Sequence, residues 1–252
     1  MGSDRGRPTV NGAKKMATGS IDVGENELLA RIGKMKSNLF DSVIAYVPRQ
    51  KISNPFSHRT CVLKSDVMKL DNDTFSGNIR IEATRKIFIS KNCSLENVIC
   101  VAPQIEIEKG FTGQAQFFAT DTLLLNEDCH MSYPSCAVVL GNSKNSALIL
   151  MDKVKFGGSI VLIKKEQGSG LIIIQKGAEV TGEILTNSYL QLEGKVTGMV
   201  MADKFYLNTG AAVYENYLSG AEIDVKSLPG EFVSGNKKGS SKKQMKLITW
   251  IE

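Results

Sequence analysis

Histidine is nearly missing from this chain: His58 and His130 are the only two in 252 residues. Chemistry that needs several imidazoles, whether acid–base or metal-binding, has little to draw on. Tryptophan occurs once, at Trp250, and proline six times, against 23 glycines. That balance favours many tight turns over long proline-rich linkers. No window approaches the roughly 18–20 apolar residues a membrane-spanning helix needs. Apolar runs such as Ala137–Leu140 and Leu171–Ile174 are strand-sized. Residues 1–20 are polar and glycine-rich, without the apolar core of a secretion signal. The chain as it stands reads as soluble, cytoplasmic or peripheral to a membrane. Prior removal of a targeting segment would place it in the periplasm or envelope instead. The five cysteines (Cys61, Cys93, Cys100, Cys129 and Cys136) are odd in number and contain no CxxC pair. A reducing compartment fits them better than a disulfide framework, and structural zinc is not expected.

The net charge of +5 is uneven. Residues 1–36 hold seven Lys/Arg against four Asp/Glu, and residues 236–252 hold five Lys against one Glu. The basicity therefore sits on the two ends. Such ends are solvated tails or contacts for an envelope protein or an anionic lipid surface. Apart from Trp250 they carry no interleaved aromatics, so specific nucleic-acid binding is not expected.

What the chain does have is a repeat. With Ile89, Ile107, Leu125, Leu150, Ile174, Leu190 and Leu207 as origins, the spacings are 18, 18, 25, 24, 16 and 17. Two residues before them lie Ile87, Ile105, Leu123, Leu148, Ile172, Ser188 and Phe205. Six residues after lie Leu95, Gly113, Met131, Phe156, Val180, Val196 and Val213. Ten after lie Ile99, Phe117, Ser135, Ile160, Ile184, Val200 and Tyr217, and eight after, Gly158, Gly182 and Gly198 share a column. Apolar residues two apart face the same side of a strand. Each unit thus offers two or three short strands with one inward face, which a single unit cannot bury alone. Stacked units bury them against one another. The pattern predicts an all-β fold: a single-stranded β-helix, or β-solenoid, of about seven coils of 16–18 residues with two longer-loop coils. The surplus length falls at 141–146 and 164–170, both polar and turn-forming. A β-sandwich is the alternative, but it does not require these registers to recur.

The expected organisation is a disordered tail over 1–24, a cap or lead-in segment over 25–60, a β-helix over 61–234, and a basic linker with an apolar segment over 235–252. Within 25–40, Leu28, Leu29, Ile32, Met35 and Leu39 share one helical face, as a helix capping the stack would require. Met245–Ile251 is a second apolar segment that could fold back on the stack or dock on another chain.

The stretches Gly177–Ile184 and Leu190–Val200 carry aliphatic pairs, small-residue turns and Val-x-Gly steps. They resemble the bactofilins, bacterial polymer-forming scaffold proteins, with the closer likeness over 171–218 and a looser one over 79–162. The arrangement is also similar to envelope-associated proteins of Bacteroidota, on segments such as Val101–Ile107 and Tyr133–Ser135. The resemblance implies a right-handed coil, end-to-end self-association and a place near the cell envelope. The long loops, the irregular coils and the long N-terminal part depart from the bactofilin pattern, and bear directly on polymerisation.

Candidate chemistry is sparse. Asp128, Cys129 and His130 are metal-ligand types, but neighbours at a turn rarely converge on one ion. His58 lies in the loop-like Asn54–His58. A β-helical acyltransferase would need its histidine among ordered coils, and neither lies between 148 and 218. A polysaccharide-cleaving site would need grooved carboxylates, for which Asp121 with Glu127 and Asp128, or Asp152 with Lys153 and Lys155, are the candidates. Sugar stacking would draw on Phe117, Tyr133, Tyr189, Phe205 and Tyr206. Gly168-Ser169-Gly170 lacks the partners of a phosphate loop. No catalytic, cofactor-binding or metal-binding residue is assigned, and no cofactor is expected. The reading is a non-enzymatic scaffold or interaction module that associates with itself through its coil ends. The alternative is a carbohydrate-binding or polysaccharide-cleaving β-helix.

Overall fold

The computed structural model describes residues 9–11, 41–143, 145–164 and 169–233. Every regular element among them is a strand. In chain order these are β1 (Thr9–Asn11), β2 (Ser42–Ala45), β3 (Lys51–Asn54), β4 (Cys61–Leu70), β5 (Thr74–Gly77), β6 (Ile79–Ile89), β7 (Ser94–Ile107) and β8 (Thr112–Leu125). They continue as β9 (His130–Gly141), β10 (Asn145–Leu150), β11 (Lys155–Lys164), β12 (Ser169–Ile174), β13 (Glu179–Leu192), β14 (Lys195–Asn208), β15 (Val213–Glu215) and β16 (Glu222–Asp224). All but β15 pair in parallel, each turn on the one before, as a β-solenoid of about eight turns. The helix expected over 25–40 and the segment 235–252 lie outside the described residues.

The predicted ladders form because each inward column is apolar from turn to turn. Ile89, Ile107, Leu125, Leu150 and Ile174 pair in succession, as do Ile87, Ile105, Leu123, Leu148 and Ile172. All are 0–1 % exposed. A third column runs through Met131, Phe156, Val180 and Val196, and a fourth through Phe117, Ala137, Ile160 and Ile184. Gly158, Gly182 and Gly198 stack at one corner with φ between 141° and 145°. A Cβ at Gly182 or Gly198 would collide with the carbonyl oxygen of the glycine one turn below, so this corner admits only glycine.

The structure corrects several registers. Ile174 pairs with Leu192 and Ile172 with Leu190, so Leu190 and Ser188 each belong two places from where the spacing put them. The 16-residue interval arises because the corner between Leu192 and Val196 is two residues shorter than that between Ile174 and Val180. In the fourth column Cys100 replaces Ile99, and Ala137 replaces Ser135. Irregularities between Glu96 and Val98 and between Gly113 and Gln116 insert the extra residues. The seventh coil does not continue in register. Val213–Glu215 turns back antiparallel on Tyr206–Asn208, and the next parallel rung is β16, where Ile223 lies on Val196. The stack also begins before residue 61, since β2 and β3 already pair with β4 and β5. Thr9–Asn11, inside the expected tail, pairs in parallel with β16 at the far end.

Candidate functional site

The corner after each turn decides where the chemically active side chains point. In five of these corners a left-handed residue, Asn72, Gly110, Asp128, Lys153 or Gly177, precedes the residue that turns inward; Cys93 turns inward without one. That inward column is Asp73, Cys93, Phe111, Cys129, Val154 and Ala178, all 0–5 % exposed. Asp128 therefore faces out, with Lys109 at 3.3 Å, while the Cys129 thiol points in and donates to the Glu108 carbonyl. His130 is exposed at the start of β9. The three do not converge, and no cluster of three or more metal-ligand residues occurs among the described residues. Asp73 is the one acid in the inward column. It accepts hydrogen bonds from the Gln50 and Asp71 amides at 2.7 and 2.9 Å, and the Tyr46 hydroxyl lies 2.8 Å from it. Burial and that carboxylate push the Tyr46 phenol well above its usual range. This is a tied structural acid, not a reactive one.

The other candidates are similarly occupied. Asp121 accepts from Ser143 Oγ at 2.5 Å and from Gln104 at 3.2 Å, anchoring the loop after β9. The Thr122–Leu125 strand separates it from the corner that holds Glu127 and Asp128. Asp152 has the exposed Lys153 3.9 Å away as its ion-pair partner among the described residues. The Lys164 ammonium donates to the Ser143 carbonyl and its backbone pairs with the Asn187 side chain, tying adjacent loops together. Gly168 lies outside the described residues; the Gly170 amide donates to Ser188 Oγ and is not free for a phosphate. His58 is exposed, its backbone held by Pro55 and Asn78.

Of the candidate stacking aromatics, Phe117 is wholly buried and Phe205 packs on the core. Tyr133 is 46 % exposed and meets Phe232 at 5.6 Å in a tilted arrangement. Tyr189 and Tyr206 form an edge-on pair at 5.9 Å, with the Lys204 ammonium over Tyr189.

Two surfaces stand out instead. The first is at the ends. Val43, Val47 and Phe56 in the first turn, and Val213, Tyr214, Tyr217 and Val225 after the last full one, are 41–57 % exposed. On β2 and β3 one edge pairs with β4 and β5, and no described strand covers the other. The second surface is a stripe on the outer side of one face. Phe118, Val138, Val161, Leu185 and Met201 pair in order across five rungs, and all point away from the solenoid interior. With Leu140, Ile163, Cys136 and Met199 they form an apolar cluster separate from the core. Val138, Leu140, Val161, Ile163 and Leu185 are only 1–7 % exposed. Burial and nearby Glu183 push the Cys136 thiol up to about 12. The column analysis missed this stripe because it followed one side of each strand. The signal was present in Ala137–Leu140 and Ile160–Ile163, where no polar residue alternates.

No family model matches the chain, and no curated protein or solved structure matches it either.

Proposed function

We propose that this chain is a non-enzymatic structural module, a rigid β-solenoid rod that associates with itself end to end near the bacterial cell envelope, as the bactofilins resembled by residues 171–218 do. The observation that carries this is the apolar surface left on the terminal turns, together with the edges of β2 and β3 that no described strand covers. Strand edges and apolar caps attract a second copy unless they are blunted. The continuous core ladders supply the stiffness a scaffold requires. The basic ends, residues 1–36 and 236–252, are the natural contacts for an envelope protein or anionic lipid. Sedimentation velocity and negative-stain electron microscopy test the reading. Species should grow with concentration into rods one solenoid wide, and Val43→Lys should shorten them. A monomer at every concentration and salt level would remove self-association and leave an adaptor.

A second reading, carbohydrate binding or cleavage on the flank, draws on the Tyr189–Tyr206 pair with Lys204 above it. Titration calorimetry with soluble oligosaccharides, comparing the native chain with Tyr189→Ala, distinguishes it: a saturable heat lost in the variant would favour this reading.

A further inference from the structure

Every turn passes its columns in one order. In β13 and β14 the chain meets the third column first, at Val180 and Val196, and then the fourth, at Ile184 and Val200. The two ends of the stack interrupt that order at matching points. The last rung, β16, supplies a third-column residue, Ile223 on Val196, and no strand follows β16 among the described residues. The first rung opens with a fourth-column strand. Ile44 of β2 lies on Leu63, and that line continues through Ile81, Cys100 and Phe117. Strand β3 then supplies the third column, with Ile52 on Phe75 and Phe75 on Leu95. A second copy set on the last rung therefore continues the screw without a gap. Its β2 falls on β14 at Val200, whose far edge carries no described strand, and its β3 falls on β16 at Ile223. All four residues suit such a contact: Ile44, Ile52 and Val200 are half-buried against the core, and Ile223 is 8 % exposed.

Charge fixes the register. Beside the third column, Lys155 pairs with Glu179, Glu179 with Lys195, and Lys195 with Glu222, the last two in an ion pair at 2.9 Å. The next place in this alternation calls for a cation. With Ile52 on Ile223, that place goes to Lys51, which is exposed on β3, and Ser53 falls beside Asp224. Opposite charges on neighbouring strands attract and like charges repel, so the alternation selects this register. A two-fold joint of like ends would run the strands antiparallel and break both the ladder and the alternation.

In the single chain β1 holds that edge. Thr9, Val10 and Asn11 lie on Glu222, Ile223 and Asp224, the places that Lys51, Ile52 and Ser53 of a second copy would take. An edge covered by a strand of its own chain is protected against pairing with another. Three residues with a neutral threonine on Glu222 make a weaker cover than β2 and β3 arriving together.

We propose that copies of this chain join head to tail, β3 of one pairing in parallel with β16 of the other in the register Ile52 on Ile223 and Lys51 on Glu222, and that β1 is the cap that leaves this edge when they join. Resting on the end-to-end reading above, the joint gives the rod a polarity, a register and a brake.

Two variants of the full-length chain, Ser53→Cys and Asp224→Cys, test the polarity. Each alone and an equal mixture are treated with 1,2-phenylenebismaleimide, and the native chain sets the background from its own cysteines. The mixture should yield at least about tenfold more covalent dimer than either variant alone, because a head-to-tail joint never brings two like ends together. Dimer from one variant by itself would mean that like ends meet, and rods without the mixed dimer would put the joint elsewhere. Both results overturn the proposal and leave end-to-end association standing. A chain that stays monomeric in sedimentation velocity at every concentration overturns the end-to-end reading, and the joint with it. Register and cap are read from the concentration at which half of the chain is associated. Lys51→Glu should raise it at least about threefold, while Lys153→Glu, the same charge change at a corner in mid-stack, should not move it. Val10→Asp, which sets a carboxylate on the apolar Ile223, should release β1 and lower it at least about threefold. Equal shifts for the two lysine variants would overturn the register. An unchanged or higher value for Val10→Asp would show that β1 stays in the joint, and overturns the proposal as well.

Discussion

Replacing Phe117 by alanine tests the ladder directly. Phe117 is wholly buried in β8, with Cys100 on the rung before it and Ala137 on the rung after. A large ring between two small neighbours fills space that belongs to three turns at once. Truncating a buried phenylalanine costs about 3–5 kcal/mol, the larger figure applying where the site cannot collapse. Here the strands on both sides are held at ladder spacing by their backbone hydrogen bonds, so the cavity stays open. A loss of about 4 kcal/mol is expected. With a urea m-value of about 2–3 kcal/mol/M, the unfolding midpoint should fall by about 1.3–2 M. The assay is far-UV circular dichroism across a urea series. The swapped variant, Phe117→Ala with Ala137→Phe, moves the ring one rung along the same column and should recover more than half of the loss. A loss under about 1 kcal/mol would refute the stacking argument. So would a double variant whose loss is the sum of the two single ones.

Gly182→Ala should lower stability by about 3 kcal/mol or more, because φ there is 145° and the new Cβ meets the Gly158 carbonyl oxygen. Gly230→Ala, which meets nothing, should stay within about 0.5 kcal/mol in the same urea assay. The buried thiols give a pH dependence. Burial pushes the Cys100 and Cys136 thiols up to about 12, against about 8.5 in an unfolded chain. The folded state then holds protons that the unfolded state has released, so this contribution is complete below about pH 8.5 and is lost as pH rises toward 12. The urea midpoint should drop between about pH 8 and about pH 10.5, and Cys100→Ala should reduce that drop; an unchanged drop would refute the assignment.

The corrections to the registers share one cause. Spacing in the sequence counts residues, whereas pairing in space counts rungs. At Gly113–Gln116 and at Glu193–Gly194, residues were inserted or removed without disturbing the ladder on either side. The apolar residues then kept their column while their numbering slipped by one or two. The candidate chemistry failed for a related reason. Asp128, Cys129 and His130 are adjacent in sequence, but the left-handed corner sends one out, one in and one out again.

By itself the sequence determined that a chain of recurring inward aliphatic pairs and corner glycines would coil and stack. Stacking buries those pairs and accounts for their recurring registers, which a β-sandwich would not require, and the period is written locally. Only the tertiary structure decided what lies on the outside. Whether Val138, Val161 and Leu185 form a stripe depends on which residues from turns 23 and 24 positions apart come to rest side by side. That depends in turn on loop lengths and bulges accumulated over the whole coil. The same holds for the termini: Thr9–Asn11 beside β16 is a contact across more than 200 residues, which no local pattern encodes.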